Sequence, residues 1–201
     1  VLLCKWLGKT VVVHQHNKGM ERYVDRKIYK WLLKRVYGGT NVILLSWRLY
    51  PDVGKIVSKQ QVWICPNGIP ETTSKKKLER HQKLPCLLFL SNLVESKGVY
   101  VILDACQRLR EKGYEFCCHF VGSESKEISR AVFESEIARR GLERMVLYHG
   151  PKYGQEKESF FQEADIFIQP TFEDCFPLTI IEAMQHGLPV VATSEGAIPD
   201  M

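Results

Sequence analysis

The sequence lacks several features that would assign a chain at once to a class of protein. No apolar run approaches the roughly 20 residues of a transmembrane helix, and no segment has the layout of a cleavable signal peptide. No G-x-G-x-x-G, Walker phosphate loop or D-x-D pair occurs, so neither a nicotinamide cofactor nor a metal-held phosphate is indicated. We therefore expect no cofactor and no bound metal.

The cysteines also lack the spacing of a metal site or a disulfide framework. They are odd in number, no two form a C-x-x-C pair, and most lie within apolar segments typical of buried strands. This pattern favours reduced thiols in a cytoplasmic protein and argues against a zinc site. The seven are Cys4, Cys65, Cys86, Cys106, Cys117, Cys118 and Cys175.

Charge divides the chain into two parts. Residues 1–82 contain 16 lysines and arginines against 5 acidic residues, whereas residues 83–201 contain 12 against 18. All four tryptophans lie in the first part. These differences predict two modules, 1–82 and 83–201, with a polar linker at 71–83 closing the first one.

The second module alternates short apolar strands with amphipathic helices. Strands are predicted at 86–91 and 115–122, and helices at 97–113 and 125–141, each helix ending at a glycine. The same alternation continues through the rest of the module. It predicts an α/β fold, a Rossmann-like doubly wound parallel sheet with helices on both faces.

The first module follows the same pattern over fewer elements. Strands are predicted at 10–16, 41–46 and within 61–70, with a helix over 23–39. We interpret it as a partial Rossmann-like module. Because the chain opens on valine and closes in a loop, we expect an internal piece of a longer protein, with the second module cut short at its end.

The helix at 23–39 has basic residues around an apolar face of Val24, Ile28, Trp31 and Leu32. Most such helices are solvated on their basic side. Basic and aromatic side chains also favour an anionic membrane surface, by about 1 kcal/mol per charge. Peripheral contact with the inner face of a membrane is therefore a second interpretation, whereas nucleic acid is not expected because no reader motif accompanies the charge.

Residues 172–191 carry the features of a phosphate and sugar site. Pro177 suits the first turn of a helix, which leaves the amides of Leu178 and Thr179 as an anion site at the positive helix end. Glu182, about one turn further on, can accept two vicinal hydroxyls. Asp174, in the preceding loop, can accept hydroxyls from the group attached to the phosphate.

Lys97 opens the helix predicted over 97–113, right after the segment LVES that follows the first strand of the second module. Ligands of open parallel sheets bind at the carboxyl ends of the strands, so its ammonium can reach the same phosphates. A solvated lysine in the first turn of a helix is the simpler alternative.

The segments EDCFPLTIIEAMQHGLPVVAT, LFLSNLVESKGV, FVGSES, ADIFIQPT and PNGI together resemble the family-four (group 1) retaining glycosyltransferases of the GT-B fold. The resemblance runs over nearly the whole chain and is strongest from Cys86 to Asp200. It implies two Rossmann-like domains, with a nucleotide-sugar donor held mainly by the C-terminal one.

The resemblance also implies roles for individual residues. Glu182 matches the acid that holds the ribose hydroxyls, and Lys97 matches the lysine that steadies the diphosphate. Asp174 matches an acid near the donor sugar that is usually glutamate. Asn92 stands where the family usually has arginine, which removes a bidentate clamp.

Two further positions follow from the same resemblance. Cys175 and Pro177 replace common glycines around Phe176, within the donor loop. His16 matches a strand-end histidine that faces the donor sugar, although with His14 on the same strand face a packing or capping role is an equal alternative.

The function implied is transfer of a hexose-type sugar from a nucleoside diphosphate to a hydroxyl, with retention and without a metal. The acceptor would be a growing surface glycan or its lipid-linked precursor. We expect the chain as given to bind donor but to transfer no sugar. Two alternatives stay open: a nucleotide-sugar epimerase or phosphorylase on the same fold, and a non-catalytic nucleotide-sugar-binding module.

Overall fold

The computed structural model describes residues 1–71 and 84–201, which group into two compact units. The predicted linker at 71–83 lies outside the described residues apart from its first position. The division at residues 82 and 83 therefore stays a prediction. One unit comprises Val1–Gly68, Asp174–Phe176 and Ser194–Met201, and the other comprises Ile69–Glu173 and Pro177–Thr193.

The first unit contains a parallel three-stranded sheet in the order β1-β2-β3. Its core packs Val42 and Leu44 of the central strand against Val53, Val57 and Tyr37. The strands are β1 (Val12–Gln15), β2 (Asn41–Leu44) and β3 (Val62–Ile64), and the helices are α1 (Leu2–Trp6), α2 (Glu21–Val24), α3 (Lys27–Tyr37) and α4 (Tyr50–Val53).

The helix predicted over 23–39 is divided in two, because Arg26 adopts an extended backbone and caps α3. The apolar face of Val24, Ile28, Trp31 and Leu32 is buried only at Val24. Ile28 and Trp31 are 74% and 56% exposed, whereas Leu33 and Val36 pack against the core. The pair Ile28 and Trp31 and the pair Leu33 and Val36 both have the spacing of one helix face, so the sequence pattern alone does not show which pair is buried. Contact with the sheet decides it.

The second unit contains a parallel five-stranded sheet in the order β6-β5-β4-β7-β8. Strand β4 is central: β5 and β6 lie on one side of it, and β7 and β8 lie on the other. The strands are β4 (Cys86–Leu90), β5 (Cys117–Val121), β6 (Val146–Tyr148), β7 (Ile166–Gln169) and β8 (Val190–Ala192).

Helices cover both faces of this sheet. The face of Leu87 and Phe89 packs on α5 and α6, and Phe167 on the opposite face meets Phe161 of α7 at 6.0 Å between ring centroids. The predicted doubly wound α/β fold is confirmed. The helices are α5 (Val99–Glu111), α6 (Arg130–Arg139), α7 (Gly154–Glu163) and α8 (Leu178–Gln185).

Across residues 1–71 and 84–201, none of the helices has both the length and the apolar character that crossing a bilayer requires.

Candidate functional site

The loops that follow β4 and β7 meet at the carboxyl end of the sheet. The backbone N–H of Phe172 donates to the carbonyl of Ser96 at 2.7 Å, and the Thr171 hydroxyl donates to the same oxygen at 3.3 Å. Because β4 and β7 are neighbours whose chain connections run in opposite directions, this is the switch point where doubly wound sheets bind ligands.

Gly98 allows this close approach of the two loops. Its φ of 81° lies in the left-handed region, and a Cβ there would stand 2.2 Å from the carbonyl oxygen of Pro170. Any larger residue would push the β7 loop away from the β4 loop.

Lys97 bridges the same two loops. Its ammonium donates a 2.8 Å hydrogen bond to the carbonyl of Glu173. The prediction that Lys97 opens a helix is wrong: it closes a 3-10 turn over Glu95–Lys97, and α5 begins at Val99 because Gly98 interrupts the helical backbone. The ammonium nevertheless lies at the backbone of the loop that leads to α8.

Asn92 ties the β4 loop to the β5 loop. Its side-chain oxygen accepts from the N–H of Ser123 at 3.2 Å, and both residues line a small cavity of about 100 Å³ together with Gly122 and Lys152. An arginine has no acceptor atom, so it could not make this contact. The asparagine therefore has a local structural role at this position.

The amino end of α8 lies in the same unit. Pro177 is the N-cap rather than the first helical residue, and its carbonyl accepts from Ile180 N–H at 3.1 Å. Leu178 and Thr179 occupy the first two helical positions, where a backbone amide has no acceptor within its own helix. The amides of Leu178 and Thr179 thus lie at the amino end of the helix, as predicted, and the helix begins one residue later than predicted.

Glu182 has a partner that the sequence did not predict. Its Oε1 lies 2.7 Å from the ammonium of Lys157 on α7, and both side chains are partly buried. No local spacing indicates this pair, because the two residues lie on different helices. A carboxylate has about four lone-pair sites, so one ammonium leaves it capacity for sugar hydroxyls.

His186 fixes the end of α8 against α7. Its ring nitrogens lie 2.8 Å from the carbonyl of Glu182 and 2.8 Å from the carboxylate of Glu158. The ring also stacks on Phe161, with centroids 5.0 Å apart. These contacts hold the backbone at Glu182, which in turn positions its side chain.

Asp174 and Phe176 belong to the first unit. The carboxylate of Asp174 accepts from the N–H of Phe176 at 3.2 Å, which closes a tight turn. Gly196 lies against this turn, since a Cβ on it would stand 2.2 Å from the Asp174 carbonyl oxygen. Ala197 N–H donates to the Cys175 carbonyl at 2.9 Å. The turn at Asp174–Phe176 is thus supported by Gly196 and Ala197.

His16 lies just beyond the end of β1 and is exposed. Its ring contacts that of His14, with centroids 4.1 Å apart, so the two do share one side of the strand as predicted.

A cavity of about 450 Å³ lies beside the carboxyl end of β1 in the first unit. Lys18 on its wall forms an ion pair with Glu195, and this hydrogen bond raises the pKa of Lys18. The buried carboxylate of Asp52 accepts from the N–H groups of Gly19 and Glu21 and so holds the loop that borders the cavity. No pattern in the sequence indicates this cavity.

A doubly wound parallel sheet whose loops meet at a switch point is the architecture of a broad class of nucleotide-binding proteins. Within that class, residues 70–201 match the family described as glycosyl transferases group 1. The match covers more than half of the chain, and the chain belongs to this family. Its α/β fold is of the GT-B type, as the resemblance implied.

Two curated glycosyltransferases are similar to this chain, one over nearly all of it and the other over about half. The chain is 33% identical to the amylovoran biosynthesis glycosyltransferase AmsK of Erwinia amylovora, over 96% of this chain and 49% of that protein. It is 30% identical to the D-inositol 3-phosphate glycosyltransferase of Corynebacterium aurimucosum, over 55% of this chain and 27% of that protein. The chain thus spans about half the length of the first of these relatives.

Solved structures are similar in fold. The Anabaena protein Alr3699/HepE, in complex with UDP, superposes with a TM-score of 0.82 at 18% identity, over 99% of this chain and 57% of that one. Sucrose-phosphate synthase from Thermosynechococcus elongatus gives a TM-score of 0.76 at 18% identity, over 98% and 55%.

Proposed function

We propose that this chain is part of a glycosyltransferase that moves a sugar from a nucleoside-diphosphate sugar to a hydroxyl, with retention. The observation that carries the proposal is the meeting of the β4 and β7 loops at the switch point, with the Lys97 ammonium between them. Membership of the group 1 family and the UDP complex of Alr3699/HepE support the same donor class.

In this proposal the diphosphate lies between Lys97 and the amino end of α8. When the bond from the anomeric carbon to the diphosphate oxygen breaks, its electron pair stays on the leaving group. The ammonium and the amides of Leu178 and Thr179 stabilise that charge, with the helix dipole behind them. No metal is needed for this step, in line with the absence of a D-x-D pair.

The ribose would lie against Glu182. Because Lys157 holds one carboxylate oxygen at 2.7 Å, the side chain is oriented before the ligand arrives. Hydrogen bonds to a charged carboxylate are stronger than neutral ones, so this contact would contribute about 1.5–3 kcal/mol to binding.

Asp174, Phe176 and His16 are assigned to the donor sugar by the family resemblance. The acceptor class follows from the relatives: AmsK is named for amylovoran biosynthesis, which supports a growing polysaccharide or a lipid-linked precursor as acceptor.

Calorimetry of the chain with UDP, ADP and GDP tests the donor site. We expect one of them to bind, and Glu182→Gln to weaken it by about tenfold or more. Glu115→Gln, an exposed acid before β5, is the matched control and should leave affinity unchanged. Equal affinity of all three proteins would contradict the site.

Product analysis with donor and acceptor separates transfer from epimerisation or phosphorolysis, and binding without turnover would favour a non-catalytic module.

We further propose that the enzyme is cytoplasmic and meets the inner face of the membrane through α3. Ile28 and Trp31 are exposed, and the Arg35 guanidinium lies 4.8 Å from the centre of the Trp31 ring. Exposed apolar and basic side chains on one helix suit an anionic lipid surface. Cosedimentation with phosphatidylglycerol vesicles should fall for Trp31→Ser, and equal binding to purely zwitterionic vesicles would contradict the proposal.

A further inference from the structure

We propose that Cys86, Cys117 and His119 form a zinc-binding site at the amino ends of β4 and β5. The two sulfur atoms and a ring nitrogen of the histidine all lie within 4.8 Å of one another. Two thiolates and an imidazole are the ligand types that bind Zn²⁺ and other soft metal ions.

Strand register brings the three residues together. Cys86 is paired with Cys117 across the parallel ladder, and Leu88 with His119. Since paired residues point to the same side of a sheet and residues two apart on a strand share a face, all three side chains lie on one face. The sequence expectation of no zinc site rested on spacing along the chain, which does not detect ligands from neighbouring strands.

The distances are compatible with a metal after small side-chain movements. With Zn–S bonds of about 2.3 Å and Zn–N bonds of about 2.0–2.1 Å, tetrahedral ligand atoms lie about 3.5–3.8 Å apart. Atoms that already lie within 4.8 Å of one another need to approach by at most about 1.0–1.3 Å. Two thiolates also neutralise Zn²⁺, which favours the ion at a position where Cys86 is buried.

A second histidine supports the orientation of the first. Nδ1 of His119 lies 2.7 Å from Nε2 of His149, which follows β6. Phe160 of α7 packs on both rings, with centroids 5.8 Å and 4.7 Å away. Metal-binding histidines are usually fixed by a partner on the other ring nitrogen, and the ring of Phe160, packed against both imidazoles, limits their rotation.

The position separates this site from the donor site. Cys86 and Cys117 are the first residues of their strands, whereas Lys97 and Asn92 lie in the loop beyond the end of β4. A metal here would join β4 to β5 and stabilise the sheet, and it would have no part in sugar transfer. The proposal therefore stands independently of the proposed enzymatic function.

Cobalt titration of the chain, after removal of metal with a chelator, tests the proposal. Thiolate ligands give a cobalt charge-transfer band, and we expect it to saturate at one Co²⁺ per chain and to be displaced by Zn²⁺. Cys117→Ser and His119→Gln should each weaken Co²⁺ binding at least tenfold. Cys4→Ser, which changes an exposed cysteine outside the cluster, should not. Saturation that is unchanged in Cys117→Ser, or no band in the unmodified chain, would overturn the site.

A measurement on the unmodified chain removes any dependence on how the variants fold. Alkylation of the native protein, mapped by mass spectrometry, should modify Cys4 equally with and without Zn²⁺. Cys117, which is partly exposed, should be modified several-fold more slowly when Zn²⁺ is present. Equal rates at Cys117 under both conditions would show that the cluster is a packed set of thiols and imidazoles only.

Discussion

Lys157 and Lys97 illustrate how single side chains prepare the candidate donor site. Lys157 holds the carboxylate of Glu182, and Lys97 holds the backbone of the β7 loop at Glu173. Both contacts are present without ligand. The entropy lost in ordering these side chains is therefore lost on folding rather than on binding. Sequence motifs indicated Lys97 and Glu182. The groups that they contact, the Glu173 carbonyl and Lys157, are distant in sequence and are brought close only by the fold.

We predict that Lys157→Met weakens nucleoside diphosphate binding by about three- to tenfold, because Glu182 loses its orienting partner. Lys112→Met, an exposed lysine after α5, is the matched control. Calorimetry with a 2′-deoxynucleoside diphosphate should show a smaller loss for Lys157→Met than the ribose ligand does. The same loss with both ligands would mean that Lys157 acts elsewhere.

Arg140 is the centre of a partly buried charge network between α5 and α6. Its guanidinium pairs with Asp104 at 2.8 Å and with Glu136, and its side chain is only 6% exposed. The guanidinium groups of Arg139 and Arg140 lower the pKa of Glu136 to about 2. A carboxyl with a depressed folded pKa stabilises the fold above its unfolded pKa of 4.5 and loses that contribution as pH falls toward 2.

Glu136→Gln should therefore lower the free energy of unfolding at neutral pH by about 1–3 kcal/mol, because Arg140 keeps one charged partner fewer. Urea unfolding between neutral and acid pH should show the variant and the unmodified chain converging below pH 4.5. Glu134→Gln, which breaks an exposed pair with Arg130, should change stability by less than about 0.5 kcal/mol. A difference that is constant with pH would contradict the assigned pKa.

Most elements of the second unit could be predicted from the sequence, but their ends could not. Apolar runs predicted strands at 86–91 and 115–122, close to β4 and β5. Helix starts were placed too early, because the capping residues decide them. The Ser129 hydroxyl accepts from Val132 N–H at 3.3 Å, so α6 begins at Arg130 rather than at 125.

Substitutions at Gly98 and Gly113, at the two ends of α5, can separate the effect of the close contact between the β4 and β7 loops from that of backbone strain. The two glycines flank α5 with nearly equal φ values of 81° and 79°, but a Cβ on Gly98 would meet Pro170, whereas Gly113 has nothing within 4 Å. We predict that Gly113→Ala costs about 1–2 kcal/mol from backbone strain alone, and that Gly98→Ala costs more and also weakens nucleotide binding. Thermal melts and calorimetry check this. Equal stability of the two variants would mean that the β4 and β7 loops do not need their close contact.

At the scale of the whole molecule, the alternation of strands and helices predicts the α/β class, whereas the family follows from the resemblance of segments such as EDCFPLTIIEAMQHGLPVVAT. The order β6-β5-β4-β7-β8 is what places the β4 and β7 loops together, and it depends on pairing between distant segments. The same reason explains why the cluster of Cys86, Cys117 and His119 was missed. Local patterns report periodicity and turns, whereas cross-strand neighbours are decided by topology.

Hydrogen–deuterium exchange of the chain with and without UDP is the measurement that tests the central claim most directly. The proposed donor site predicts slower exchange in the β4 loop at 91–98 and at the amides of Leu178 and Thr179. Exchange in α6, which lies away from that site, should be unchanged and serves as the internal control. Protection confined to other segments, at a UDP concentration that saturates binding, would contradict a nucleotide site at the β4–β7 switch point.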